Sequence, residues 1–237
     1  MTRRRWIADE VSGNRAALVG AHAQHLAQVL RGRVGQEFDI ATRENVRRGR
    51  IVSVTGDRVE FELGEVIPAD SVPSLTLVLS IFKFDRMEWA MEKCVELGVS
   101  RIIPVAAQRT EAHLIKAAPK RVARWQRIAL QASEQSRRAS PPEILQPQPL
   151  HVAVTAVSNP RIVLAESEKE MMLKDALQTP LAAGEVTLAS GPEGGWTESE
   201  MKLFQGASWI AASLGSTILR AETAVIAAVA ITLAELQ

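Results

Sequence analysis

The chain has 237 residues, of which 46% are apolar, and this is enough for one large or two small folded domains. No stretch approaches the ~18 apolar residues of a membrane span, and no apolar signal core follows the basic N-terminus, so we expect a soluble, cytoplasmic protein. The single cysteine, Cys94, excludes an internal disulfide framework, and the net charge of +1 conceals local clusters of basic residues.

The first 72 residues carry short runs that are typical of strands in a small β-barrel. The runs cover 38–41, 50–54 and 59–63, and turn signals rich in glycine separate them. One helix is predicted before the runs, from residues that recur at helical spacing: Leu18, His22, His25 (or Leu26) and Val29.

Two residue types that often carry chemistry are interpreted here as structural. Cys94 shares an apolar helical face with Met87 and Met91, which indicates core packing. His22 and His25 are close in sequence, but no cysteine and no recognisable third ligand accompany them, so no metal site is predicted.

From residue 73 the pattern changes to that of an α/β domain. The continuous apolar run 75–82 predicts a strand buried on both faces, and Asp85-x-x-Glu88 then opens an amphipathic helix that ends at Gly98. A strand over 101–105 completes a βαβ unit. Further strands are predicted over 161–165, 185–189 and 208–214, and the helical segments between them imply a mainly parallel sheet.

A glycine-rich loop joins one of these strands to a helix. Gly191, Gly194 and Gly195 allow close approach of a ligand, while Thr197-x-x-Glu200 predicts a capping box with Trp196 and Met201 as its hydrophobic staple. Phosphate is the usual ligand of such a loop, but Glu193 would repel a polyphosphate and no lysine follows the glycines. A ligand with a cationic centre, such as S-adenosylmethionine, fits better. The alternative is a tight turn with a capping glutamate.

Basic residues cluster in the first fifty residues and again over 120–138, where six basic residues face one acid, Glu134. Two such clusters in a nearly neutral chain favour contact with nucleic acid, although a solvated face remains the alternative. The last predicted helix, 225–236, is apolar on nearly every side and must be buried. A subunit interface is the preferred interpretation, and burial within one subunit is the alternative.

Two segments, GPEGGWTESE at 191–200 and LGSTILRAETA at 214–224, carry a resemblance to a known family. They are similar to the signature of the bacterial 16S rRNA (uracil-N3)-methyltransferases, a branch of the SPOUT superfamily. The resemblance extends to 25–40, 84–105 and 124–138 and so covers nearly the whole chain.

The resemblance implies an α/β fold with two domains. Residues 1–72 would form a PUA-like RNA-binding β-barrel, and residues 73–237 a SPOUT methyltransferase domain whose C-terminal segment forms a trefoil knot. The protein would be a homodimer that uses S-adenosylmethionine to methylate N3 of a uridine in the 16S rRNA. The assembled small subunit is the preferred substrate, and naked RNA is the alternative. A non-catalytic RNA-binding or ribosome-assembly factor and a methyltransferase acting on another RNA, such as tRNA, are the alternatives.

The chemistry of the reaction indicates roles for Arg220 and Glu222, and the resemblance assigns the cofactor-binding residues. Arg220 would orient the O2 or O4 edge of the uracil or hold its negative charge, and Glu222 would accept the N3 proton or pair with the helix dipole. Residues at three strand ends would bind the cofactor: Leu164, Ala165, Glu166, Gly191, Pro192, Glu193, Gly194, Leu214, Gly215, Ile218, Leu219 and Arg220. Charge and placement predict the RNA contacts: Arg3, Arg4, Arg5, Arg31, Lys83 and Arg86.

Two positions depart from the family pattern. Thr217 stands where an arginine is common, which removes a cation beside the expected site. Ala221 stands where a threonine is frequent, and we expect this change to remove a helix N-cap, at a cost of about 1 kcal/mol.

Overall fold

The computed structural model describes residues 5–42, 45–67, 74–136, 138, 140–158, 160–178 and 185–236. Two compact units divide the chain. The first comprises Met1–Ser71 with Ser133–Ser140, and the second comprises Val72–Ala132 with Pro141–Gln237. No described helix is both long enough and apolar enough to span a bilayer.

The first unit is built on a six-stranded sheet in which only the β1–β4 pair is parallel. Its elements in chain order are β1 Arg5–Ile7, β2 Glu10–Ser12, β3 Arg15–Val19, α1 Ala21–Gln24, a π-helical turn His25–Val29, β4 Glu37–Ala41, β5 Val46–Val54 and β6 Arg58–Ile67. The strand order is β1-β4-β5-β6-β3-β2, and one face packs a core around Trp6, Leu18, Leu26, Ile40 and Phe61.

The predicted helix of this unit begins later than the spacing indicated. Leu18 lies in β3 and pairs with Val59 of β6, so its burial comes from the sheet. Gly20 has a φ of 57° and separates the strand from the helix, which starts at Ala21. Val29 is 66% exposed and contributes no core contact.

The second unit contains a seven-stranded sheet in which every pair is parallel. Its strands are β7 Ser74–Ser80, β8 Arg101–Ala106, β9 Glu143–Ile144, β10 Gln148–Pro149, β11 Arg161–Leu164, β12 Glu185–Ser190 and β13 Ile210–Ala212. Its helices are α2 Phe84–Leu97, α3 Ala112–Ala117, a 3₁₀ turn Ala118–Arg121, α4 Val122–Gln135, α5 Leu150–Thr155, α6 Leu173–Ala176, α7 Glu198–Gly206 and α8 Ala221–Glu235. The order is β10-β8-β7-β12-β11-β13, with β9 also paired to β8.

The central strand β7 is covered on both faces, as the continuous apolar run predicted. Leu75, Leu77 and Leu79 point into a core shared with α2, α4 and α8, whereas Val78 points into a second core shared with α5 and α7. Cys94 is fully buried in the first of these cores, and burial raises the pKa of its thiol to about 12. The expected structural role of Cys94 is confirmed, and at neutral pH the thiol stays protonated and unreactive.

Three predicted boundaries in this unit are wrong. Helix α2 begins at Phe84 with Lys83 as its N-cap, so Asp85 lies in the first turn and caps nothing. Helix α8 begins at Ala221 instead of residue 225, because its polar first turn is helical but breaks the apolar pattern. The last strand is shortened to Ile210–Ala212, since Ser208 has a φ of 61° that no strand accommodates.

Candidate active site

Three loops meet beyond the carboxyl ends of β11, β12 and β13. These strands lie side by side in the sheet, in the order β12-β11-β13. Together the loops line a cavity of about 290 Å³. The carboxyl edge of a parallel sheet is where open α/β folds bind their ligands. The cavity is therefore the candidate active site of the second unit.

The glycine-rich loop between β12 and α7 forms one wall. Thr197 caps α7 in a complete capping box with Glu200, which confirms the predicted start of this helix. A Cβ at Gly191 would lie 3.3 Å from the Trp196 ring, so only glycine lets the backbone pass the indole without displacing it. The Trp196 indole donates a hydrogen bond of 3.1 Å to the carbonyl of Leu164, the last residue of β11. This bond joins the glycine-rich loop to the end of β11.

The loop between β13 and α8 forms another wall. Gly215 has a φ of 131°, which L-amino acids rarely adopt, and its N–H donates to the Ser213 hydroxyl at 3.2 Å. Beyond this turn the chain presents Ile218, whose side chain is 84% exposed although it is apolar. Thr217 is also exposed and lines the same cavity.

Some of the charged groups at the cavity wall and beside it are held by neighbours. Arg86 of α2 donates to Glu193 at 3.0 Å, and its Nε lies 3.9 Å from Oε1 of Glu222. Lys169 donates to the backbone carbonyl of Glu166 at 3.0 Å. The Glu168 carboxylate accepts three backbone N–H groups that follow it, which lowers its pKa and fixes the turn after β11.

The structure brings the predicted cofactor-binding residues together, with the exception of Arg220. The residues that line the cavity are Leu164, Ala165, Glu166, Gly191, Pro192, Glu193, Gly194, Leu214, Gly215, Ile218 and Leu219. Arg220 is the exposed N-cap of α8 and lies between two lining residues without being one itself. Ala221 is the first residue of the helix and not its cap, so the predicted loss of an N-cap at this position is wrong.

Glu222, the predicted proton acceptor, does not line the cavity. Its side chain is buried in the first turn of α8, where Oε1 faces Arg86 and Oε2 has no hydrogen-bond partner among the described residues. The carboxylate is thus oriented toward α2, although its neighbours Ala221 and Ala224 do line the cavity.

The predicted RNA-binding residues fall in different environments. Lys83 is exposed at the start of α2, whereas the guanidinium of Arg86 is engaged by two carboxylates. Arg31 is exposed in the first unit with a φ of 52°, and Arg5 lies half-buried in β1. The remaining two, Arg3 and Arg4, lie outside the described residues.

Arg109 is one of several lining residues that sequence reasoning missed. It follows the carboxyl end of β8, and its side chain lies along Gly194 and donates to the Gly194 carbonyl. Ligands of open α/β sheets bind beyond the carboxyl ends of the strands, and this holds for β8 as well. The predicted strand over 101–105 therefore already indicated that residues just after it could reach the site.

Comparison with known proteins agrees with the geometry. A family model described as RNA methyltransferase domain matches residues 70–233. The chain is also 30% identical to the ribosomal RNA small subunit methyltransferase E of Synechocystis sp., over 87% of this chain and 69% of that protein.

The chain belongs to the ribosomal RNA small subunit methyltransferase E family. The family member of Bacillus subtilis is 29% identical over 88% of this chain and 85% of its own length. The crystal structure of the Neisseria gonorrhoeae family member, which is bound to S-adenosylmethionine, superposes with a TM-score of 0.83 at 30% identity, covering 96% of this chain and 95% of that one.

Proposed function

We propose that this protein transfers the methyl group of S-adenosylmethionine to N3 of a uridine in the 16S rRNA of the small ribosomal subunit. The observation that carries the proposal is the convergence of three strand-end loops on one cavity, in a chain of the methyltransferase E family. Because ribosomal subunits are assembled in the cytoplasm, we place the reaction there.

The residues of the cavity fit S-adenosylmethionine. The cavity volume of about 290 Å³ is just below the roughly 300–1,000 Å³ typical of small-molecule sites. Gly191 and Gly194 allow Trp196 and Arg109 to pack against the backbone of one wall. The carboxylates of Glu166 and Glu193, the second of which also pairs with Arg86, complement a ligand that carries a sulfonium and an ammonium group. Bound here, the cofactor would supply an already activated methyl group.

The protein then has two tasks, which are to present N3 and to favour loss of its proton. N3 lies on the Watson–Crick edge, so the uridine must leave its base pair or stack before it enters the site. We propose that Arg220, exposed beside the lining residue Leu219, orients the O2 or O4 edge of the base. We propose for Glu222 a positioning role through Arg86 in place of the predicted proton transfer.

We also propose the finer features of the architecture. The first unit acts as a PUA-like RNA-binding barrel, which the exposed Arg31 supports. The segment after β13 is threaded as a trefoil knot, which the convergence of the three loops supports. The apolar side chains of α8 pack in or against the core of this subunit, so homodimer formation is proposed through the loop before it, where Ile218 is 84% exposed although it is apolar.

The proposal is tested by methyl transfer from labelled S-adenosylmethionine to unmodified small subunits and, in parallel, to their stripped RNA. Nucleoside analysis should find 3-methyluridine, with more label on the assembled subunit. A Gly191→Val variant should lose cofactor binding, because the added side chain displaces the Trp196 ring.

Gly206→Val serves as the matched control, since a Cβ at Gly206 meets no atom of the described part of the chain within 4 Å and the residue lies outside the cavity wall. Cofactor binding without methyl transfer to either substrate would show that the target is wrong. Absence of cofactor binding in the wild-type protein would reject the proposed reaction.

A further inference from the structure

Among the described residues, two cations line the cavity wall, Arg109 and Lys169, and the proposed function uses neither. The guanidinium of Arg109 donates to the backbone carbonyl of Gly194. A Cβ at Gly194 would lie 3.3 Å from Cδ of Arg109, so the glycine is what allows the arginine to lie flat along the loop. The side chain is therefore fitted to this wall.

The charge of Arg109 is not neutralised by its neighbours. Of the charged groups that line the cavity, Glu193 is paired with Arg86 and Lys169 is bound to the Glu166 carbonyl. Arg109 makes no ion pair with a carboxylate of the described residues, and its contact with Gly194 uses one of the five guanidinium N–H donors. Donors and a full positive charge remain available to a ligand.

The segment that carries Arg109 is held firmly in place. The N–H of Gln108 donates to the buried carboxylate of Glu200 at 2.7 Å, and the Gln108 amide donates to Ser199 at 3.0 Å. On the other side, the hydroxyl of Thr110 donates to the Ile81 carbonyl at 2.8 Å. A cation fixed in this way before the substrate arrives is suited to stabilising charge that develops during a reaction.

We propose that Arg109 binds the target uracil and stabilises the negative charge that the base acquires when N3 is deprotonated; this inference rests on the proposed function. The N3–H bond breaks and its proton passes to water, while the electron pair stays on the ring and spreads over O2 and O4. The guanidinium donates to one of these oxygens. The methyl carbon then bonds to N3 as its bond to sulfur breaks, and sulfur keeps that electron pair.

The charge of the two substrates favours the base over the cofactor as the ligand of Arg109. S-adenosylmethionine carries two positive centres and one carboxylate, so a nearby guanidinium repels it on balance. The uracil, in contrast, becomes anionic on the path to the product. The cofactor carboxylate is the competing ligand, and measurement of cofactor affinity distinguishes the two.

The test compares wild-type protein with Arg109→Gln and Arg109→Lys on subunits reconstituted around RNA transcribed with uridine or with 5-fluorouridine. Fluorine makes N3–H more acidic, so less stabilisation is required from the protein. We expect Arg109→Gln to lower turnover on uridine by about 10²-fold, the usual effect of removing one donor to a developing oxyanion. On 5-fluorouridine the loss should be much smaller, and Arg109→Lys should retain intermediate activity on uridine.

Two further readouts separate stabilisation of charge from a structural effect. The rate on uridine should reach its plateau at higher pH in Arg109→Gln than in wild type, and calorimetric affinity for S-adenosylmethionine should stay unchanged. Arg101→Gln is the control, because Arg101 lies at the opposite end of β8, where it pairs with Glu143 at 2.7 Å. It should match wild type in every assay.

The inference is overturned if Arg109→Gln loses equal activity on both RNAs, or if cofactor affinity falls in parallel with turnover. It is also overturned if the variant is as active as wild type. An inactive wild-type protein would instead reject the proposed function, so the two failures are distinguishable.

Discussion

Two tryptophans of the second unit have the same local chemistry but different relations to the cavity. The rings of Trp196 and Trp209 both pack edge-on against Phe204, with centroids 4.9 Å and 5.0 Å away. Each indole donates to a backbone carbonyl, which is Leu164 for Trp196 and Val154 for Trp209. Of these two carbonyl residues, Leu164 alone belongs to the wall of the candidate active site.

Replacing each tryptophan by phenylalanine therefore separates binding from stability. Trp196→Phe removes the bond that joins two loops of the cavity, and a hydrogen bond of this kind contributes about 0.5–1.5 kcal/mol. We expect the affinity for S-adenosylmethionine to fall by about 2- to 13-fold in titration calorimetry. Trp209→Phe should lower the melting temperature but leave the affinity unchanged, and equal affinities in the two variants would contradict the assignment of this wall.

For individual residues, the sequence predicted those that lie in contiguous motifs. It missed contacts between residues that are distant along the chain. The lining residues of 191–194 and 214–219 belong to two short segments that can be recognised without a structure. Arg86 meets Glu193 across 107 residues and Arg109 meets Gly194 across 85. Nothing local marks these contacts, because they depend on which strands are neighbours in the sheet.

Helix α8 shows how the predicted elements differ from the observed ones. Apolar residues on nearly every side predicted that the helix is buried, and Val225, Val229 and Leu233 do lie in the core, but its polar first turn was not predicted. Its N-cap is Arg220, which offers no side-chain acceptor to the first N–H groups of the helix. The helix therefore starts without a side-chain cap, unlike α7, which Thr197 caps.

This arrangement predicts opposite effects on stability and activity. Arg220→Asn supplies an acceptor at the N-cap and should stabilise the protein by about 1 kcal/mol in urea unfolding. The same change should lower methyl transfer, since it removes the proposed contact with the base. Ala221→Ser, one residue further into the helix, should leave stability nearly unchanged. A stabilising effect of Ala221→Ser that exceeds that of Arg220→Asn would show that the cap lies at residue 221.

At the level of the whole molecule, composition and periodicity predicted an α/β chain with a parallel sheet, and the structure confirms both. The strand order could not be predicted in the same way. Strand β7 lies between β8 and β12, and β12 follows β7 by more than a hundred residues along the chain. Such pairings are selected by the joint packing of both sheet faces, which no single segment records.

The first unit carries an ionisable contact that ties its stability to pH. His22 Nδ1 lies 3.0 Å from Asp9, and Nε2 lies 3.2 Å from Glu134, in the segment that groups with this unit. The hydrogen bond to Asp9 is the main cause that raises the pKa of His22 above its usual 6.5, and Glu134 adds to it, against the opposing effect of burial. His22 is thus more readily protonated in the folded chain than in the unfolded one.

A pKa that is higher in the folded state gives stabilisation that is fully present below the unfolded value. This stabilisation is lost as the pH rises from 6.5 through the folded pKa. Urea titrations, read by hydrogen exchange of peptides from β3 and β6, should show the free energy of unfolding of the first unit falling over that window. The fall should be absent from His22→Gln and retained in His151→Gln, which alters an exposed histidine of the second unit. A wild-type slope that persists in His22→Gln would assign the pH dependence to another group, because no other change distinguishes the two proteins.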